Sequence, residues 1–317
     1  MQKNLMQRLS IFCFFLLGLL PVQAQENALT ATTPVQMTVT VRVLGKNKRM
    51  PEVNREDIIV RQGKERLKVT NWTPIGGDRG PLDLFILIDD AARPTVGSQF
   101  EDLRAFINSM PLTTSVGIGY MRNGTVQVAQ NLTTNHDQAA KALRIPFGSP
   151  GVYGSPYLSV IDLMNRWPET QNRREVLMIT DGIDRLHSFP RRHGLGPISP
   201  DVNSASAVAQ RTGTIIHGIY TRGAGWRGSN FWEVANGQNG IATLAERTGG
   251  ESFFLGIREP VSFRPYLDRL QSSLDNRYRL EFNAVPGNKS GLRDVKLTTE
   301  VAGVELDSAD SVWVAAR

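Results

Sequence analysis

The chain has 317 residues, 40% of them hydrophobic and 21% charged, with a formal net charge of +6. At about 100–200 residues per domain this suits one sizeable domain plus a smaller unit. The mild basic excess is too small and too scattered to argue for nucleic acid, so no nucleic-acid partner is expected.

Lys3 and Arg8, the apolar segment Ile11 to Leu20 and Pro21-Val22-Gln23-Ala24 have the order of a secretory leader cut after Ala24. Its apolar core falls short of the roughly 20 residues of a spanning helix. No later stretch is apolar enough to cross a bilayer. Cys13, the one cysteine, lies within the leader. The mature protein is therefore expected to be secreted or periplasmic, without disulfides or a transmembrane segment, and held by its core.

Met37 to Val43 alternates apolar with polar side chains, the period of a strand that buries one face. Short strands are expected at Asp57 to Arg61 and Arg66 to Trp72, turning at Gln62-Gly63-Lys64. Gly76 to Pro81 reads as a linker, because Gly and Pro interrupt both helix and sheet. Beyond it, Asp83 to Ile88 is an unbroken apolar strand, and Phe100, Leu103 and Ile107 predict a helix over 97–110. Asn123-Gly124 marks a hairpin between strands 115–121 and 125–129. A helix follows over 137–143, with Asn135 and Asp137 available as caps.

Leu158, Ile161, Met164 and Trp167 predict a helix over 155–167, ahead of the apolar strand Val176 to Ile179. The phrase Ala-x-Arg-Thr-Gly, with Gln210 or Glu246 at its second position, ends two helices at Gly213 and Gly249. Each feeds a strand, 214–220 and 251–255. A last helix spans 261–274. The tail alternates again at Tyr278, Leu280 and Phe282, at Val295 to Thr299 and at Val312 to Val314. It is too short for a core of its own and is expected to pair with the first strands as a β-sandwich-like module.

The expected fold is thus α/β, a doubly wound, mostly parallel sheet inserted in a small antiparallel module built from both flanks. Residues 1–24 are the leader, 25–80 the N-terminal β module, 81–275 the α/β domain and 276–317 the C-terminal β segment. Strands buried on both faces read as continuous apolar runs. Their carboxyl ends share one edge, which brings Asp89 and Asp181 together where such folds bind ligands.

Two inward carboxylates are costly unless paired or bound to a cation. Asp89 after its strand, Ser155 in Gly154-Ser155-Pro156, and Thr180-Asp181-Gly182 together resemble the three loops of a von Willebrand factor A domain. That family's first loop reads Asp-x-Ser-x-Ser, and its loops hold a divalent ion that accepts a ligand carboxylate. Here Ala91 and Arg93 stand at the two serine positions, and Ser155 replaces a threonine. The flanks 67–72, 244–250 and 270–280 are similar to exported bacterial proteins built around this domain. The resemblance implies a binding role rather than catalysis.

Arg93 is expected to sit where the ion would, paired with Asp89 or Asp181 through charge-assisted hydrogen bonds. On that basis no cofactor is expected. The alternative is an adhesion module with weakly bound Mg²⁺ on Asp89, Asp90, Ser155 and Asp181.

Two long loops, 183–200 and 221–240, should border the same edge. They carry Arg185, His187, Arg191, Arg192 and His193, and Trp226, Arg227, Phe231 and Trp232, the residue types that dominate binding hot spots. A protein partner is therefore expected on Asp89, Arg93, Ser155, Asp181, Arg191, Arg192, Trp226, Arg227 and Trp232. Gly223 to Gly228 has dinucleotide-fingerprint spacing but no following helix and acid in register. His217 reads as a core residue, and no histidine pair has zinc spacing. Ser155 lacks a nucleophile elbow and a nearby base, which sets an envelope hydrolase aside.

Overall fold

The computed structural model describes residues 32–45, 50–149, 151, 154–187, 196–254, 256 and 258–316. The expected leader with Cys13, and Arg191, Arg192 and His193, lie outside the described residues. In chain order the regular elements begin with β1 (Thr33–Val43), β2 (Ile58–Gln62), β3 (Glu65–Leu67), β4 (Val69–Pro74) and β5 (Leu82–Asp89). Next come α1 (Phe100–Asn108), β6 (Thr114–Arg122), β7 (Thr125–Thr133), α2 (His136–Lys141), α3 (Pro156–Asn165) and β8 (Arg173–Thr180). The α/β part continues with α4 (Pro200–Thr212), β9 (Ile215–Tyr220), α5 (Phe231–Thr248), β10 (Ser252–Phe253) and α6 (Arg264–Asp275). The tail holds β11 (Arg277–Ala284), β12 (Gly291–Asp294), β13 (Lys296–Thr299), β14 (Val304–Ser308) and β15 (Ser311–Val314).

The central sheet has six strands in the order β10-β9-β8-β5-β6-β7, parallel except for the edge strand β7. Strand β5 lies in its middle and is buried along its whole length. Its side chains alternate between two cores, as a strand covered on both faces must. Leu84, Ile86 and Ile88 join Leu103, Ile107 and Leu270 on one face. Phe85 and Leu87 join Tyr157, Val160, Ala205 and Leu244 on the other. Each such side chain contributes about 1.5–3 kcal/mol by burial. The fold is α/β and doubly wound.

The flanks meet as the alternating patterns require. One antiparallel sheet runs β14-β1-β11-β4, another β13-β2-β3, and β12 pairs β15. Val39, Val60, Leu67, Phe282, Val304 and Val314 from these sheets share one apolar cluster. Trp72 stacks on Tyr278 at 4.5 Å, fastening β4 to β11.

Two local signals act through backbone geometry. Asn123 and Gly124 both adopt positive φ, 53° and 69°, the conformation of a two-residue hairpin turn matched to strand twist. Gly213 and Gly249 end α4 and α5 in the left-handed conformation.

The expected loop over 221–240 is corrected. From Phe231 the chain is helical, because the Asn230 side chain accepts hydrogen bonds from the amides of Trp232 and Glu233 at 3.0 and 3.1 Å. Gly237 and Gly240 let α5 press against the strand ends. A Cβ on Gly237 would strike the Asp181 carbonyl, and one on Gly240 the Tyr157 hydroxyl. No helix among the described residues is long and apolar enough to cross a membrane.

Candidate ligand-binding edge

Strands β5 and β8 run parallel with Ile88 opposite Ile179, so Asp89 and the Thr180-Asp181 pair leave the sheet side by side. Both carboxylates are buried, Asp89 at 3% exposure and Asp181 at 0%. Asp89 Oδ1 accepts the Ala91 amide at 2.8 Å, and Oδ2 accepts the Thr180 hydroxyl at 2.6 Å. Burial, and then the nearby charge of Asp181, push the Asp89 carboxyl up to about 7.

Arg185 meets Asp181. Its two terminal nitrogens engage both carboxylate oxygens, one of them at 3.2 Å, in a bidentate pair whose guanidinium side chain is 11% exposed. Burial works against the charged guanidinium, yet Asp181 outweighs it and holds Arg185 above its ordinary pKa. The Arg185 amide also bonds the Gly154 carbonyl at 2.9 Å, which ties this loop to the one bearing Ser155.

No protein-family model matches the chain, and no curated protein matches it. It is similar to a von Willebrand factor type A structure from Catenulispora acidiphila, at 10% identity and TM-score 0.44, over 87% of this chain and 76% of that one. It is also similar to an aerotolerance-related membrane protein from Bacteroides fragilis, at 12% identity and TM-score 0.40, over 61% of this chain and 98% of that one. Manganese-loaded TRAP protein from Plasmodium vivax aligns at 10% identity and TM-score 0.41, over 77% and 98%.

Three expectations about the edge are corrected by the geometry. Arg93 does not pair with either acid: its Nε donates to the Gly223 carbonyl at 3.1 Å and its Nη2 to the Ser229 hydroxyl at 2.9 Å. Its backbone leaves β5 in the direction of the 222–229 segment, which it grips through Arg93 N–Arg222 O at 2.9 Å. Asp90 turns away from Asp89, and Arg144 binds both its oxygens at 2.7 and 2.9 Å. Ser155 caps α3 and donates its hydroxyl to Asp201 at 2.7 Å, although it lines a narrow cleft together with Asp89.

These contacts also test the ion that the resemblance implies. A hard divalent ion needs about six oxygens with free lone pairs converging on one point. Here the Asp181 oxygens face Arg185, the Asp90 oxygens face Arg144, and the Ser155 hydroxyl faces Asp201. As arranged, Asp89, Asp90, Ser155 and Asp181 do not fit a shared Mg²⁺.

Above the acids, the 222–230 segment is sewn to the end of β5. Ala92 bridges Gly223, and the Ala224 amide bonds the Ala91 carbonyl at 2.8 Å. This segment presents Trp226, 63% exposed, with half-buried Arg227, and Phe231 begins the next helix at 53% exposure. Trp232 is half-buried against Phe231, their rings 5.0 Å apart edge to face.

Thr180 and Arg185 were the site residues hardest to single out in the sequence. Thr180 belongs to the Thr-Asp-Gly phrase, and Arg185 follows Asp181 by four residues, a spacing that carries meaning only once the loop turns back. His217, expected in the core, is fully buried there and bonded to Glu175 at 2.9 Å.

Proposed function

We propose that this is an exported, non-enzymatic interaction protein whose sheet edge binds a protein partner, with the Arg185 guanidinium serving beside Asp181 where related domains use an ion. The export assignment rests on the leader-like first 24 residues. The observation that carries the binding assignment is the exposed pair Trp226 and Phe231, with Arg227 between them, on a segment anchored to the end of β5. Exposed aromatic and arginine side chains on a rigid mount lose little conformational freedom on binding and supply most hot-spot energy.

In this arrangement Asp89, Thr180, Asp181 and Arg185 hold the edge in shape, and Arg93 positions the 222–229 segment through Gly223 and Ser229. The ligand meets the rim rather than the buried acids. The alternative of an adhesion module on weakly held Mg²⁺ finds no support in the donor arrangement.

The test is retention of envelope proteins on the immobilised chain in the presence of EDTA. A partner held by wild type and released by Trp226→Ala or Phe231→Ala supports the assignment. Retention that survives both substitutions, or that EDTA abolishes, overturns it.

A further inference from the structure

The geometry points to a transition-metal site built from Asp184, His187 and Asp201, apart from the Asp89–Asp181 pair and independent of the edge-binding function proposed above. One ligand atom from each residue lies within 4.8 Å of the other two. His187 Nδ1 stands 3.1 Å from Asp201 Oδ1 and 3.8 Å from Asp184 Oδ2. Ligands about 2.0–2.2 Å from a tetrahedral ion are about 3.4 Å apart, midway between those separations. Two carboxylates and a neutral imidazole balance a dication. The imidazole favours Zn²⁺ and its neighbours over Mg²⁺ or Ca²⁺, which prefer oxygen alone.

The carboxylates are oriented from behind, as ligating carboxylates usually are. Asp201 Oδ2 accepts the Ser155 hydroxyl at 2.7 Å, which leaves Oδ1 toward His187. Asp184 Oδ1 accepts the amides of Leu186 and His187 at 2.9 and 3.0 Å, and the Ser199 hydroxyl holds Oδ2. The two serines come from the cap of α3 and the cap of α4, so the acids are fixed by elements of the fold.

A second observation is independent of the cluster. Asp184 and His187 line a cavity of about 190 Å³, and Glu233 lies on the same lining. The Glu233 side chain is buried at 1% exposure, and its Oε1 has no hydrogen-bond partner among the described residues. The Arg185 charge acts on this carboxylate from nearby, yet Oε1 stays without a donor. A buried carboxylate oxygen without a donor is costly. A water or ligand held by the ion in the cavity would satisfy it, since three protein ligands leave the fourth zinc position open.

The experiment is calorimetric titration of the full chain, purified without a polyhistidine tag, with ZnCl₂ and separately with MgCl₂. The expected result is saturable 1:1 Zn²⁺ binding with Kd of about 1 µM or below and no comparable Mg²⁺ binding. His187→Gln, at a position whose side chain is 45% exposed, weakens Zn²⁺ by about tenfold or more, as does Asp201→Asn, while Asp89→Asn leaves it unchanged. Absence of saturable Zn²⁺ binding by the wild type, or equal binding by wild type and His187→Gln, overturns the site.

Discussion

Arg277, the first residue of β11 in the flanking sandwich, places Nη2 3.0 Å from Oε2 of Glu175 within the parallel sheet. Glu175 also receives His217 Nε2 at 2.9 Å and faces Arg173 Nε at 2.8 Å. The Glu251 amide donates to His217 Nδ1, so Nε2 carries the proton given to Glu175. On its other side Arg277 reaches the Thr40 hydroxyl of β1. One buried carboxylate thus joins the two parts of the fold.

Removing that carboxylate leaves two buried guanidinium groups short of a partner. Glu175→Gln is expected to cost about 3–5 kcal/mol, the range for breaking a buried ion pair from one side, as measured by urea denaturation. A loss below about 1 kcal/mol would mean that the cluster behaves as a surface pair.

The same cluster sets an acid limit. Burial alone would raise the Glu175 pKa, but Arg277, Arg173 and His217 outweigh it and hold the carboxyl far below its usual range. A depressed carboxylate stabilises the fold above its unfolded value of about 4.3 and loses that contribution as pH falls through the folded value. The wild type should therefore lose stability below about pH 4, and Glu175→Gln should lose less there. Parallel acid-unfolding curves for the two proteins would count against this.

Asp89 has the opposite sign. Its carboxyl is raised to about 7 in the folded protein, against about 3.9 unfolded, so the fold holds the proton more tightly. That contribution is complete below about pH 4 and is lost as pH climbs through about 7. Melting temperature across this interval should fall with rising pH in the wild type, and the fall should flatten in Asp89→Asn. An unchanged slope in the variant would assign the dependence to another group.

Much of this architecture is legible in residue patterns. Unbroken apolar runs such as Leu84 to Ile88 are a direct consequence of burial on both faces, and alternation in the flanks follows from burial on one. The convergence of Asp89 with Asp181 follows from parallel strands sharing an edge. Which cation meets Asp181 was not legible, because Arg93 and Arg185 are alike in chemistry and differ only in where their backbones run. Arg93 is carried to the Gly223 carbonyl, while Arg185 is carried back by its amide bond to Gly154. The grouping of His187 with Asp184 and Asp201 was not legible for a similar reason. The spacing rule looks for paired histidines, whereas Asp201 arrives from the first turn of α4.

Arg185 can be exchanged for a cation requirement. With Arg185→Ala, both Asp89 and Asp181 face one another without a counter-charge, and the space vacated by the guanidinium opens beside them. The variant is expected to lose about 3–5 kcal/mol near pH 8 and to recover melting temperature on addition of millimolar Mg²⁺. Arg93→Ser should show no Mg²⁺ response, since Arg93 does not touch either acid. A Mg²⁺ response in Arg93→Ser but not in Arg185→Ala would reverse the two roles.

Arg144 anchors the remaining part of the rim. Its guanidinium holds both oxygens of Asp90 and lies over the rings of Tyr120 and Phe147, at 3.6 and 4.1 Å. Asp90 in turn accepts the Phe147 amide at 3.2 Å through Oδ1 and the Ser149 amide at 2.6 Å through its carbonyl. This segment carries Ile145 and Phe147, both more than half exposed. Lysine keeps the charge but has neither the planar fork nor the stacking face. Arg144→Lys should therefore leave the central sheet as protected as before while the Phe147 and Ser149 amides exchange with solvent about tenfold faster. Exchange that speeds up across β5 and β8 as well would show that Arg144 supports the core instead of this segment alone.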